Sequence, residues 1–142
     1  MSDLDYTKFK DALSRLQERY NDYLEAKNRP ELKDSDRESI LESCIQRFET
    51  CFDTSWKHLR KYMEEEQGLP DIPGSPKPVF RKAFAANVIG DAEVWIEFTD
   101  KRIDTSHDYD KEKAEATFAV IPDFISEAIE LYQKMSGETW PR

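Results

Sequence analysis

Residues 41–63 read LESCIQRFETCFDTSWKHLRKYM, and their spacing indicates one long amphipathic helix. Apolar side chains recur every three or four positions along it, and this period places them on one face that needs a partner surface. The face is formed by Leu41, Cys44, Ile45, Phe48, Phe52, Trp56, Leu59 and Met63. We predict that the helix is capped by Asp34 or Ser35, with Glu38 completing a capping box, and that it reaches about Gln67. The stretch therefore favours an all-α fold.

The same period predicts four more helices on either side of this one. Pro122 falls inside the last of them, where the apolar spacing continues in phase, so we expect one helix kinked at the proline. Short loops make neighbouring helices antiparallel, and residues 1–142 therefore predict a single domain, an up-and-down bundle of five helices. The flanking predictions are helix 1 from Leu4 to Lys27, helix 3 from Ser75-Pro76 to Ile89, helix 4 after the cap Asp91, and helix 5 from near Asp110.

Composition limits the partners that the chain can take. The 142 residues are 36% charged with a formal net charge of −9, whereas a general nucleic-acid coat protein is basic. Any contact with RNA must therefore be local. Aromatic residues make up 12% of the chain, which argues against disorder. Cys44 and Cys51 fall on or beside the apolar face, so we expect buried free thiols, a reducing cytoplasmic setting and no membrane-spanning segment.

One stretch, Arg102-Ile-Asp-Thr-Ser-His-Asp-Tyr109, carries groups suited to chemistry. Arginine offers a planar charged fork for a phosphate, histidine exchanges protons near neutral pH, and tyrosine adds a hydroxyl. The antiparallel topology brings the end of helix 4 to the start of helix 3. We therefore expect a local basic site around His107 and Tyr109, made by Lys77, Arg81, Lys82, Lys101 and Arg102, although several carboxylates share the same pole.

Simpler interpretations of these residues remain open. Arg102 can be a salt-bridge partner, and His107 can be a loop or capping residue. Asp104, His107, Asp108 and Asp110 can suggest a metal site, but such loop residues are more often caps, and we expect neither a metal nor a cofactor. We also expect His58 to be solvated, and both Trp56 and Trp95 to anchor the core. Phosphate-cradling glycine loops and nucleophile elbows are absent from the sequence.

The Arg-x4-His-x-Tyr sequence on a five-helix bundle resembles the HEPN superfamily, and more narrowly its nucleotidyltransferase substrate-binding branch, which includes the HepT-like toxins. Flanking motifs extend the resemblance over most of the chain: Ile45-Gln-Arg-Phe48-Glu49, Trp56-Lys57, Ser75-Pro76, Trp95 and Tyr109-Asp110. Two positions depart from the pattern. Ile103 stands where the family often has Asn, and Asp108 stands where Thr is common.

The resemblance implies a homodimer paired with a small nucleotidyltransferase from an adjacent gene, in a toxin–antitoxin-like system. It also implies metal-independent ribonuclease chemistry, in which Arg102 binds the scissile phosphate and His107 acts as general acid or base. Tyr109 would support the site or be modified with AMP by the partner enzyme. The alternative is a non-catalytic subunit that binds substrate and presents it to the nucleotidyltransferase.

Overall fold

The computed structural model describes residues 4–106 and 110–141, and within these ranges it contains α-helices and no strand. Helix α2 contacts each of the other four helices. The helices are α1 (Thr7–Lys27), α2 (Asp34–Lys61), α3 (Pro76–Ala85), α4 (Ala92–Asp104) and α5 (Lys111–Ser136), and a π-helical turn (Tyr62–Glu66) continues α2. The predicted all-α bundle is confirmed. None of the helices in the described ranges combines the length and apolar content that a bilayer crossing requires.

Two predicted helix starts were wrong by one to three residues. Helix α1 begins at Thr7 rather than Leu4, with Tyr6 as its N-cap, and the Asp5 carboxylate accepts the Thr7 N–H at 2.9 Å. The N-cap of α2 is Lys33, whose N–H donates to the Asp36 carboxylate at 3.1 Å. Asp36 therefore takes the capping role that the sequence suggested for Glu38.

Helix α3 ends at Ala85, four residues before the predicted end at Ile89. Asn87 adopts a left-handed conformation with φ of 60°, which an α-helix does not accommodate. Val88 and Ile89 nevertheless have buried side chains. Their burial made the apolar period look continuous although the backbone had already turned.

Helix α5 runs unbroken across Pro122, as predicted, while the expected kink stays a prediction. Its N-cap Asp110 accepts the N–H groups of Glu112 and Lys113 at 2.9 and 3.3 Å. Asp91 caps α4 in the predicted way, accepting the Val94 N–H at 3.2 Å. These two carboxylate caps fix where α4 and α5 begin.

An aromatic cluster at the centre of the bundle joins α2, α3, α4 and α5. Its six rings are each at most 1% exposed, and the neighbouring centroids lie 4.9–6.4 Å apart, which is the range of favourable ring contacts. Its members are Phe48, Phe52, Phe80, Trp95, Phe98 and Phe124. The cluster fixes the axial position of α4 relative to α2. It thereby fixes which side chains of the two helices meet at the edge of the core.

His58 was predicted to be solvated, but it is half-buried because its ring faces the start of α1. Its ring lies 5.7 Å from that of Tyr6 and 6.1 Å from that of Phe9. Burial lowers its pKa, and Lys61 and Lys8 lower it further. Cys44 and Cys51 are buried free thiols, as predicted, and burial raises the pKa of Cys44 to about 12.

Candidate functional site

Arg102 lies near the C-terminal end of α4 and is held by two carboxylates of α2. Its Nε and Nη2 donate to the two oxygens of Asp53, each at 3.1 Å, and its Nη1 donates to Glu49 at 2.8 Å. Glu49 and Asp53 are one helical turn apart, so both face the same neighbour. Arg102 is 26% exposed, Glu49 22% and Asp53 38%. The guanidinium is therefore fixed in orientation at the surface of the bundle.

A second contact ties the end of α4 to the same carboxylate. The Thr105 hydroxyl lies 2.9 Å from Glu49 Oε2 and 3.0 Å from the Arg102 carbonyl oxygen. The hydrogen bonding of Arg102 to the Asp53 carboxylate is the largest cause of a raised arginine pKa, and the charges of Asp53 and Glu49 raise it further. Arg102 thus keeps its charge, and the backbone just before residue 107 is anchored to α2.

The hydrogen-bond count leaves part of the arginine fork free. A guanidinium has five N–H groups, and three are committed to Glu49 and Asp53. One N–H on Nη1 and one on Nη2 remain without a partner among the described residues. Guanidinium N–H groups of this kind are good donors to phosphate oxygens.

A cleft of about 620 Å³ opens beside Arg102, between α2, α4 and the start of α3. This volume lies in the range typical of small-ligand sites. Three cations and one anion are among the side chains that line it, and two of the cations are paired: Arg102 with Glu49 and Asp53, and Lys77 with Asp100. The lining residues are Phe52, Asp53, Trp56, Lys57, Ser75, Pro76, Lys77, Pro78, Thr99, Arg102, Ile103 and Ser106.

The structure brings together only part of the predicted basic site. Lys77 lines the cleft with Arg102, and its Nζ lies 2.6 Å from the Asp100 carboxylate. Lys82 instead donates to the Pro70 carbonyl oxygen at 2.9 Å. Neither Lys82 nor the other two predicted cations, Arg81 and Lys101, is among the residues that line the cleft.

His107, Asp108 and Tyr109 lie outside the described residues. Ser106, which precedes His107 in the sequence, lines the cleft. The metal alternative depended on His107 and Asp108 and therefore falls partly outside the described ranges as well. Within those ranges, no three His, Cys, Asp or Glu side chains are grouped to hold a metal ion.

Sequence reasoning missed Asp53 and Lys57 as site residues and placed Trp56 entirely in the core. Trp56 packs against the core but also lines the cleft, and Lys57 Nζ lies 5.9 Å from its ring centroid. A signal was present, because Glu49 and Trp56-Lys57 were among the motifs that carry the HEPN resemblance. The helical period places Glu49, Asp53 and Trp56 along one edge of α2, where they meet α4.

A helical bundle whose α2 and α4 share a charged, partly apolar cleft defines the class of protein, and this class is the HEPN-like bundle that the sequence predicted. Residues 4–137 match the family model described as "Nucleotidyltransferase substrate binding protein like". The chain belongs to this family.

Similar proteins agree with this assignment. The chain is 32% identical over 101 residues to a Haemophilus influenzae protein named "Probable ribonuclease HepT", an alignment that covers 70% of this chain and 69% of that protein. A solved Haemophilus influenzae structure, described as the fold of a substrate binding domain of a nucleotidyltransferase, aligns with a TM-score of 0.81 and 26% identity over 93% of this chain and 99% of that one. A crystal structure from Thermus thermophilus aligns with a TM-score of 0.72 and 26% identity over 89% of this chain and 98% of that one.

Proposed function

We propose that this chain is the HEPN-type subunit of a two-component nucleotidyltransferase system and that it cleaves RNA without a metal ion. The observation that carries the proposal is Arg102. It is fixed by three hydrogen bonds at the rim of the cleft and keeps two N–H groups for a ligand. A histidine follows it five positions later in the sequence. The similarity to a protein named as a ribonuclease supports this interpretation.

The chemistry assigns one role to each residue of the Arg-x4-His-x-Tyr sequence. His107 takes the proton from a ribose 2′-hydroxyl, whose oxygen attacks the neighbouring phosphorus while the bond to the 5′-oxygen breaks. The products are a 2′,3′-cyclic phosphate and a 5′-hydroxyl, and the proton is returned to the leaving oxygen. Arg102 donates to the phosphate oxygens as their charge grows in the transition state. Tyr109 positions the site.

Glu49 and Asp53 act on this chemistry through the arginine. Holding Arg102 in one orientation removes the entropy cost of ordering a long side chain when the phosphate arrives. Their two negative charges oppose phosphate binding; Lys57 offsets part of that repulsion from the cleft wall, while Lys77 is paired with Asp100. Because these two charges oppose the binding of a phosphate at Arg102, they favour the second candidate, a non-catalytic subunit that binds substrate for its partner enzyme.

The partner in this proposal is a small nucleotidyltransferase encoded beside the chain, in keeping with the family description. Transfer of AMP from ATP to the Tyr109 hydroxyl, with pyrophosphate as the leaving group, would add a bulky anion seven positions after Arg102 in the sequence and oppose binding of RNA phosphate, which gives the partner an inhibitory role. Two copies of the chain would bring two Arg102–His107 sets into one shared cleft, so a homodimer in the cytoplasm belongs to the same proposal.

The decisive experiment incubates the purified chain, without its partner, with varied single-stranded RNAs in EDTA. We expect cleavage by the wild type and by Arg19→Gln, and a loss of about 10²- to 10⁴-fold in His107→Ala and Arg102→Gln. Arg19 is a matched control, since it forms an exposed ion pair with Asp22 on α1, away from the cleft. RNA left intact by the wild type would refute the nuclease and favour the substrate-binding subunit.

A further inference from the structure

The cleft beside Arg102 has an apolar wall that phosphate binding does not explain. Trp56 forms one side from α2, and Pro76 and Pro78 form another from the start of α3. Ile103 of α4 completes the wall and is 50% exposed. A bare phosphate gains nothing from these surfaces.

The polar groups of the cleft lie next to this wall. Arg102 and Lys77 line the same cavity, and the Lys57 ammonium lies 5.9 Å from the Trp56 ring centroid. A ligand that fits therefore combines a flat apolar ring with a nearby anionic group that Arg102 and Lys57 would bind. A nucleobase in a polynucleotide chain has this composition, and aromatic side chains beside cations are the usual platform for unpaired bases.

We propose that this cleft is a nucleobase subsite, in which one unpaired base of a single-stranded RNA stacks on Trp56 while an adjacent phosphate binds Arg102. The inference rests on the proposed function and adds to it the group that the cleft recognises, an unpaired base. Ile103 and the two prolines enclose the base, and Lys57 offsets the charge of a neighbouring phosphate. Because the bases of a duplex are already stacked on one another, paired RNA cannot fill the subsite.

This subsite also gives Ile103 a role. It follows Arg102 directly, at the position where the resembling family often has Asn, and its exposed side chain faces the cavity. An aliphatic group there selects for the face or edge of a base through packing, without a hydrogen bond that distinguishes one base from another. We therefore expect broad base tolerance at this position of the RNA.

The test measures RNA binding apart from cleavage, using the His107→Ala chain and a fluorescein-labelled mixed-sequence 8-nucleotide RNA. Base–aromatic stacking is worth about 1–3 kcal/mol, so Trp56→Leu should raise the Kd roughly 5- to 150-fold. Trp56→Phe keeps a ring and should bind within about threefold of the parent. Phe84→Leu is the matched control, because Phe84 is 49% exposed on α3 and outside the cleft. Thermal melts of each variant establish that it is folded.

The outcomes separate this inference from the proposed function. Tight binding of the single strand, weak binding of its duplex, and a loss in Trp56→Leu alone would support the subsite. If Trp56→Leu is folded and binds like Phe84→Leu, the subsite is overturned, even when the wild type cleaves RNA. Binding that survives in Trp56→Leu but is lost in Trp56→Phe would also overturn it. If the single strand is cleaved yet binds no better than the duplex, the proposed function stands and the subsite falls.

Discussion

Breaking the contact between Arg102 and Asp53 tests whether the structure holds the arginine as described. The perturbation is a double-mutant cycle made of Arg102→Met, Asp53→Asn and the double variant. Methionine keeps the length of the side chain without its charge, and asparagine keeps the shape of the carboxylate. The cycle isolates the coupling between the two side chains from their contacts with other groups.

The magnitude follows from hydrogen bonding and exposure. Two charge-assisted hydrogen bonds of 3.1 Å join the pair, and the side chains are 26% and 38% exposed. Exposed ion pairs contribute about 0–1 kcal/mol, and breaking a buried pair costs about 3–5 kcal/mol. We therefore expect a coupling of about 1–2 kcal/mol. Arg102→Met alone should cost about 2 kcal/mol, because it leaves Asp53 and Glu49 without their shared cation.

The assay is urea unfolding followed by circular dichroism at 222 nm, with all four proteins at one pH and one ionic strength. The m-value must stay constant, so that a change in midpoint reports a change in the free energy of unfolding. A coupling below about 0.4 kcal/mol is the additivity expected of independent sites and would refute the clamp. In that case the rigidity assigned to Arg102 would also have to be abandoned.

Three further outcomes follow from burial. Phe124→Ala should lower the free energy of unfolding by about 3–5 kcal/mol and exposed Phe84→Ala by less than about 1, because only Phe124 leaves a core cavity; equal urea midpoints would contradict the cluster. The pKa of His58 is lowered in the folded state, so its contribution to stability is present above about pH 6.5 and is lost as the pH falls through the folded pKa. Between pH 7.5 and 5.5 the free energy of unfolding should therefore change less with pH in His58→Gln than in the wild type. Cys44 and Cys51 should react with a thiol reagent only after denaturation, and labelling of the folded chain at pH 8 would be inconsistent with their burial.

The number and order of the helices could be predicted because apolar period, prolines and capping residues are local signals. The errors arose where tertiary contacts decide. Val88 and Ile89 are buried but lie outside α3. Apolar periodicity alone does not distinguish a buried helical residue from a buried residue in a loop. His58 looked solvated because its partners Tyr6 and Phe9 lie on another helix, some fifty positions away.

The site was predictable only in part for the same reason. Arg102 stood out through the motif that follows it, and Lys77 through the antiparallel topology. Asp53, however, is an ordinary helical carboxylate until α4 is docked against it, since its role depends on a contact spanning 49 positions of sequence. Lys82 does not line the cleft, and its Nζ donates to the Pro70 carbonyl of a loop whose path the sequence does not specify.

The sharing of α2 between core and cleft constrains how this protein can diversify. On α2, Phe48 and Phe52 belong to the aromatic cluster, while Glu49, Asp53 and Trp56 lie beside the cleft or contact Arg102. A one-residue insertion before them would rotate both sets by about 100° about the helix axis and would disrupt the core and the cleft together. Pro78 and Ile103 line the cleft but do not belong to the core, because both are exposed and lie outside the cluster. Relatives that acquire a new ligand preference are therefore expected to differ in the cleft residues of α3 and α4, while the residues of α2 stay the same.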